Sequence, residues 1–202
     1  MNTGRVEVHE VGRDAVLVEV ADTDEALSLA RHAWAAQVPA LEVVPGARTV
    51  LFDAVSDRAA LQAVLDGWRP ERHSREGPLV ELPTTYDGAD LAAVADAWGT
   101  DTAEVVRRHQ ETEFVSAFCG FAPGFAYLTG FPPELDVPRR STPRTRVPVG
   151  SVALAGPWCG VYPTASPGGW QLIGHTDAPL WEATRAEPAL LAPGTRVRFV
   201  AQ

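Results

Sequence analysis

Lysine is absent from this chain of 202 residues, and its basic side chains are all arginine. Without lysine the chain itself can form no Schiff base with a carbonyl substrate. A standard P-loop is excluded as well, because that motif uses a lysine to reach the nucleotide phosphates. A GC-rich genome is the simplest origin of a bias toward alanine and arginine. The absence of lysine therefore excludes these two kinds of site but does not indicate any other function.

Cysteine is scarce, and long apolar runs are missing. Cys119 and Cys159 are too few for a disulfide framework, and we interpret both as free structural thiols rather than nucleophiles. No apolar stretch is long enough to cross a bilayer. Met1 to Arg13 carries charges early and has no apolar signal core. These features predict a soluble cytoplasmic protein without a membrane partner.

Positive charge is in deficit, since 17 arginines face 26 acidic residues and the net charge is -9. A surface this acidic binds nucleic acid or anionic membranes poorly, so neither is expected as a partner. Hydrophobic residues make up 46% of the chain. That content supports the core of one large domain or two small ones.

The first part of the chain alternates between strand and helix patterns. Asp22 or Thr23 is positioned to cap a helix, and the Pro45-Gly46 turn separates two strands. A second helix and a strand at Leu79 to Leu82 follow. The order strand, helix, strand, strand, helix, strand predicts a ferredoxin-like α+β domain over residues 1–85, with one extra strand in front.

The second part has a different character. Two short amphipathic helices come first and are separated at Gly99. From Thr112 the chain is rich in glycine, proline and aromatic residues, with short β-type runs at Glu113 to Phe118, Ser151 to Ala155, Trp170 to Ile173 and Arg196 to Val200. Short strands between such turns predict a compact barrel or sandwich. We therefore expect residues 86–202 to form a β-barrel domain with two leading helices.

Three stretches of this second part are dense in residues that bind ligands. The first is CGFAPGFAYLTGF (residues 119–131), whose glycines and proline exclude a regular helix. The second is PRRSTPRTRVPVGSVALAG (138–156), which brings four arginines together, and the third is GVYPTASPGGWQLIGHT (160–176). Guanidinium groups bind carboxylates and phosphates in a two-pronged way, so these stretches suggest an anion site.

Four ordered motifs resemble the family of allophanate hydrolase subunit 1, the B subunit of 5-oxoprolinase and the kinase inhibitor KipI: GFAPGFAYL, TPRTRVPVGSV, YPTASPGGWQLIG and PGTRVRFV. The front half resembles that family too, in VEVADTDEALSLA and VVPGARTVLFD, so the likeness covers most of the chain. It implies a small α+β domain followed by a cyclophilin-like β-barrel. It also implies a carboxyltransferase-like companion subunit (allophanate hydrolase subunit 2 or the C subunit of oxoprolinase) and, in the oxoprolinase branch, the A subunit of that enzyme.

The same resemblance implies a subunit of an ATP-dependent amidohydrolase that is inactive alone, in the first place the oxoprolinase that opens pyroglutamate to glutamate. ATP is the implied cofactor, without assignment to one of the subunits. Two alternatives stay open: a KipI-like inhibitor that docks on a sensor histidine kinase, and allophanate hydrolase subunit 1 in urea degradation. Prolyl isomerisation is suggested only by fold analogy, which is a weak basis for function.

The candidate site residues come from these stretches. Arg144 and Arg146 are predicted to stabilise an anion, and His175 to transfer protons, with Asp177 as another candidate base. The predicted substrate-binding residues are Phe125, Tyr127, Tyr162, Gly168, Gly169 and Gln171. We expect Arg144, Arg146, Tyr162 and Gln171 to share one cleft, and Arg139 and Arg140 to be surface residues.

Each candidate also has a plain structural interpretation. The arginines can hold backbone carbonyls of their own loop, His175 can be a hydrogen-bonded histidine at a strand end, and the aromatic residues can belong to the core. The other histidines are scattered along the chain and fit no metal-ligand spacing: His9, His32, His73 and His109. No metal site is predicted.

Overall fold

The computed structural model of the protein describes residues 6–70 and 77–202. The chain divides into two compact units, Met1–Arg75 and Glu76–Gln202. Each unit has a hydrophobic core of its own. None of the helices in the described ranges combines the length and the apolar character that crossing a bilayer requires.

The first unit is a four-stranded antiparallel sheet with two helices. Its elements are β1 (Glu7–Val11), β2 (Ala15–Glu19), α1 (Thr23–Ala35), β3 (Glu42–Pro45), β4 (Thr49–Asp53) and α2 (Arg58–Gly67). The strand order in the sheet is β1-β2-β4-β3. The apolar faces of both helices pack with the inner residues of the sheet in one core.

Both helices of this unit begin at an aspartate that caps the backbone. The Asp22 carboxylate accepts a hydrogen bond from the Glu25 N–H at 2.9 Å. The Asp57 carboxylate accepts from the N–H groups of Ala59 and Ala60 at 2.9 and 3.0 Å. These caps satisfy donors that have no partner within the first helical turn, and they explain where the helices start.

The second unit contains the remaining elements. They are β5 (Leu79–Thr84), α3 (Leu91–Ala97), α4 (Thr102–Glu111), β6 (Phe114–Cys119), β7 (Ala126–Thr129), β8 (Arg144–Val147), β9 (Ser151–Ala155), β10 (Trp158–Val161), β11 (Ser166–Gly168), β12 (Gln171–His175) and β13 (Arg196–Ala201). Seven strands form one sheet in the order β12-β9-β10-β7-β6-β13-β5, while β11 and β8 form a separate pair. The predicted α+β class with a barrel in the second half is confirmed.

The strand after residue 78 departs from the predicted organisation. β5 pairs in parallel with β13, so it belongs to the barrel and not to a domain that ends at residue 85. In the first sheet, the edge of β2 that faces away from β4 is occupied by β1, which forms an antiparallel hairpin with β2. A hairpin closes a much shorter loop than a strand that returns from residue 79, and the shorter loop costs less entropy. The apolar pattern identified a strand correctly but carried no information about its partner.

Segment 85–90 nearly closes the seven-stranded sheet into a barrel. Thr85 and His175 exchange backbone hydrogen bonds of 2.9 and 2.8 Å, and the Asp90 N–H donates to the Leu172 carbonyl at 2.9 Å. These bonds join the chain beyond β5 to β12, which is the opposite edge of the sheet. Gly88 permits the approach, since a Cβ at this position would lie 2.3 Å from the Leu172 carbonyl oxygen.

Candidate functional site

The β8–β11 pair brings the arginine-rich stretch next to the SPGG turn. Gly168 on β11 lies opposite Arg144 on β8. The Arg140 N–H donates to the Gly169 carbonyl at 2.8 Å, and the Gln171 side-chain amide donates to the Pro138 carbonyl at 3.1 Å. The two stretches therefore lie side by side at the start of β12.

A buried aspartate that the sequence analysis missed organises this region. Asp90 is 3% exposed, and its two carboxylate oxygens accept from Arg144 Nη1 and Nη2 at 2.8 and 2.9 Å. Arg140 Nη1 donates to it at 2.6 Å, and the Leu172 N–H donates at 2.7 Å. Asp90 thereby ties the barrel-closing segment to both arginines and to β12. No local motif marks Asp90, because its partners Arg140, Arg144 and Leu172 lie 50, 54 and 82 residues away in sequence.

The ionic state of Asp90 follows from these contacts. Burial by itself would raise the pKa of Asp90. The hydrogen bonds from Arg144 and Leu172, together with the charges of Arg144 and Arg140, outweigh burial and hold this pKa below its usual range. Asp90 is therefore a permanent anion near neutral pH, and it fixes the orientation of the two guanidinium groups.

The four arginines of residues 138–156 differ in the ion pairs and hydrogen bonds that their guanidinium groups make. Arg144 gives two N–H groups to Asp90, so it is not the free anion-binding group that the sequence suggested. Arg140, expected on the surface, is half-buried and ion-paired. The side chains of Arg139 and Arg146 are exposed and make no ion pair or hydrogen bond with another described residue. Within the described residues, Asp90 is the only carboxylate that pairs with any of these four guanidinium groups.

Aromatic rings pack directly behind the arginines. Phe125 and Tyr162 are both buried, with ring centroids 5.4 Å apart, and Trp170 lies 5.4 Å from Phe125. Phe125 was predicted to bind substrate, but its burial makes it a support for the other rings. Tyr127 is half-buried and stacks on Phe118 at 4.4 Å. Burial also raises the pKa of Tyr162, against the opposing charges of Arg139 and Arg144.

Phe121 is a second residue of this region that the sequence analysis did not single out. It has a φ of +68°, which is unusual for a bulky side chain. The Ala122 N–H donates to the Gly120 carbonyl at 2.8 Å, which closes a three-residue γ-turn around Phe121. Its ring stays 62% exposed and meets the edges of Phe125 and Tyr162, with centroids 5.2 and 6.1 Å away.

His175 does not join the arginine cluster. It lies at the opposite end of β12 from Gln171, about 13 Å along the strand at the usual rise per residue. Its Nδ1 contacts the Asp87 carboxylate at 2.8 Å, and both side chains are well exposed. The predicted grouping of His175 with Arg144 and Arg146 is therefore corrected. Asp177, the other candidate base, is exposed beyond the end of the same strand.

Three buried polar atoms in the described part of the chain have no hydrogen-bond partner: Arg140 Nε, Ser166 Oγ and Gln171 Oε1. All three belong to the stretches around the arginine cluster. A buried polar atom without a partner costs about 1–3 kcal/mol. The unused hydrogen-bonding capacity of buried side chains in the described residues is therefore concentrated in this region.

Three polar side chains contact one another in the barrel core, apart from the arginine cluster. His109 is fully buried, and its Nδ1 and Nε2 lie 2.8 Å from the Tyr86 hydroxyl and 3.4 Å from Cys159 Sγ. Burial lowers the pKa of His109 to about 3. Burial also raises the pKa values of Tyr86 and Cys159, so all three groups are neutral. We interpret these three side chains as a structural network, since the Cys159 thiol is not exposed to solvent.

Both cysteines are free, as predicted. Burial raises the pKa of each thiol, and neutral thiols react slowly. In the native protein we expect a thiol reagent to modify Cys119 slowly and Cys159 only after unfolding in urea, as followed by peptide mass spectrometry. Rapid modification of Cys159 in the native state would contradict its position in the core.

One group of possible metal ligands lies in the first unit. Ligand atoms of Glu7, His9 and Glu19 all lie within 4.8 Å of one another at the surface. The His9 Nε2 atom is 3.8 and 4.0 Å from the two carboxylates, and Arg48 approaches Glu19 at 3.6 Å. We interpret these contacts as surface ion pairs. His73, named in the sequence analysis, lies outside the described residues.

Known proteins resemble this chain along nearly its whole length. The family described as carboxyltransferase domain, subdomain C and D, matches residues 6–191. The B subunit of 5-oxoprolinase from Escherichia coli O157:H7 is 40% identical over 212 residues, which cover 98% of this chain and 97% of that protein.

Solved structures give the same result. A crystal structure of TTHA0988 has a TM-score of 0.80 at 33% identity, and the match covers 94% of this chain but only 40% of that longer one. The urea amidolyase of K. lactis has a TM-score of 0.70 at 20% identity, with 98% of this chain and 15% of that one covered. At that identity the likeness shows the fold alone. By its sequence along nearly the whole length and by its fold, this chain belongs to the family of the carboxyltransferase domain, subdomain C and D.

Proposed function

We propose that this chain is the B subunit of an ATP-dependent 5-oxoprolinase, a hydrolase complex that opens the lactam of 5-oxoproline to glutamate. The observation that carries the proposal is the 40% identity, over nearly the full length of both chains, with a protein named as that subunit. The arginine-rich, aromatic-backed corner of the barrel supports it, because the substrate is a small carboxylate with a flat ring.

The chemistry explains why such a complex needs a cationic site. A five-membered lactam is stable, and ATP supplies a phosphoryl group that, once on the amide oxygen, makes the amide carbon susceptible to attack by water. Arginines and backbone N–H groups stabilise anions of this kind. We assign the substrate carboxylate to Arg146 and Arg139, whose guanidinium groups are free, and we assign Arg144 and Arg140 to the support of that surface through Asp90.

The nucleotide is assigned to another subunit. Lysine is absent, and the Gly168-Gly169 segment does not fit a phosphate-binding loop. A Cβ at Gly168 would lie 2.4 Å from the Tyr162 hydroxyl, so this backbone is covered by the ring. The Gly169 carbonyl is bonded to the Arg140 N–H. We propose that the carboxyltransferase-like companion (the C subunit) and the A subunit complete the enzyme and hold ATP.

Reconstitution tests the proposed function. The chain is purified with its companion subunits, and ATP-dependent release of glutamate from 5-oxoproline is measured, with each subunit omitted in turn. We expect release only from the complete set. A folded and complete set that releases no glutamate removes the oxoprolinase assignment.

Replacing Arg146 by glutamine tests the carboxylate assignment. A charge-assisted hydrogen bond to a guanidinium contributes about 1.5–3 kcal/mol, so KM for 5-oxoproline should rise roughly 10- to 100-fold with little change in kcat. Arg185→Gln is the matched control, because Arg185 is an exposed arginine of the same unit that is paired with Glu182. A KM for Arg146→Gln equal to that of the control would exclude Arg146 as the carboxylate contact.

Of the two alternatives, the urea-related one has the fold of K. lactis urea amidolyase in its favour, at an identity that supports architecture only. The KipI-like inhibitor stays a prediction. Recovery of a sensor histidine kinase instead of a carboxyltransferase-like chain in a pull-down from native lysate would favour it over the enzyme.

A further inference from the structure

The backbone at Phe121 is strained without a packing reason. Three non-glycine residues of the described chain have positive φ: Gln37, Ala54 and Phe121. Phe121 is the bulky one, and its γ-turn with positive φ is a rare conformation. The cost of such a conformation is usually offset by burial of the side chain, but this ring remains 62% exposed. Strain that is retained in this way is typical of functional sites.

The Phe121 ring and the arginine cluster both interact with one side chain, that of Tyr162. One side of the Tyr162 ring meets Phe121, with centroids 6.1 Å apart. Its hydroxyl end lies against Gly168, which is the residue opposite Arg144 on the neighbouring strand. The charges of Arg139 and Arg144 both act on that hydroxyl. The exposed Phe121 ring and the arginine cluster therefore share the buried Tyr162 side chain as a neighbour.

We propose that Phe121 is a substrate-contacting residue that forms an apolar wall beside the arginine cluster. It packs against the methylene edge of a small, flat carboxylate while Arg146 and Arg139 hold the anionic group. The inference rests on the proposed function and adds a residue to that same site. The backbone strain has a role here, because it holds the ring in place before the ligand arrives and so reduces the ordering cost of binding.

Replacing Phe121 by glycine separates the effect of the phenyl side chain from the effect of the positive φ. Phe121→Gly removes the phenyl wall and also relieves the positive φ, which glycine adopts freely. We expect kcat/KM for 5-oxoproline in the reconstituted complex to fall about tenfold through KM, as the loss of one aromatic contact implies. The melting temperature of the chain should stay unchanged or rise by about 2–4 °C. A merely structural side chain would give the opposite thermal result.

Two further variants complete the design. Ala54→Gly relieves a positive φ of 46° in the first unit, so it should match the thermal behaviour of Phe121→Gly and keep full activity. Phe121→Leu restores an apolar wall and should recover most of the lost kcat/KM. Co-elution with the companion subunits on a sizing column is measured for each variant and should be unchanged.

The outcomes separate this inference from the proposed function. Full activity of Phe121→Gly beside an active wild type overturns the inference alone. A drop of many degrees in melting temperature makes Phe121 structural, and loss of co-elution makes it an interface residue, so either result also overturns it. An inactive wild-type complex removes the proposed function and this inference with it.

Discussion

Replacing Asp90 by alanine should lower the free energy of unfolding by about 3 kcal/mol. The substitution leaves Arg144 and Arg140 without their shared carboxylate and the Leu172 N–H without an acceptor. Breaking a buried ion pair by removing one partner costs about 3–5 kcal/mol, and the lower end applies because both arginines keep some contact with water. Urea-induced unfolding followed by circular dichroism measures the loss.

Asp87→Ala is the matched control for Asp90. Asp87 lies in the same barrel-closing segment and also forms an ion pair, but it is exposed, so its loss should cost less than about 1 kcal/mol. Asp90→Asn should fall between the two, because it keeps hydrogen-bonding capacity without the charge. Equal stabilities of Asp90→Ala and Asp87→Ala would show that water replaces the carboxylate and that Asp90 does not secure the barrel closure.

Acid should destabilise the protein through His109 by about 2 kcal/mol between pH 7 and pH 5. Burial lowers the pKa of His109 in the folded state to about 3, whereas an unfolded histidine titrates near its ordinary value of 6.5. The folded protein therefore keeps the imidazole neutral while the unfolded chain takes up a proton. Because the folded pKa is the lower one, this contribution to stability is complete above pH 6.5 and is lost as the pH falls toward 3.

His109→Gln isolates this effect. Glutamine can still donate and accept hydrogen bonds beside Tyr86 and Cys159 but does not titrate, so the variant should be less stable at pH 7 and lose about 2 kcal/mol less than wild type on going to pH 5. His9→Gln removes an imidazole at the surface and should retain the wild-type loss. Urea titrations at pH 7 and pH 5 measure the free energy of unfolding of each variant. If His109→Gln loses as much stability as wild type between these pH values, His109 is not the group responsible.

The local features of the fold were predictable because they depend on neighbouring residues. Aspartate before an apolar helical stripe marked the start of α1, and alternation with β-branched residues marked β2, β9 and β13. Trp34 shows the limit of the same reasoning. It lies at helical spacing from Leu27 and Ala30, which are buried residues of α1, yet it is 40% exposed.

Charge partners were not predictable, since they join residues that are distant in sequence. Arg144 and Arg146 are two residues apart on one strand and look equivalent, but Asp90 holds the first and leaves the second free. Gln171 and His175 are close in sequence, yet they lie at opposite ends of the extended strand β12. Phe121 became notable only when its backbone conformation and its exposure were known.

The mixed class, most of the strands and helices, and the family could be predicted from the residues alone, because periodicity, capping and ordered motifs are properties of short segments. The tertiary structure alone decided that β5 joins the barrel, that Asp90 links its closure to the arginines, and which guanidinium groups stay free. Those outcomes depend on which distant surfaces meet, and a strand or a charge carries no local mark of its partner.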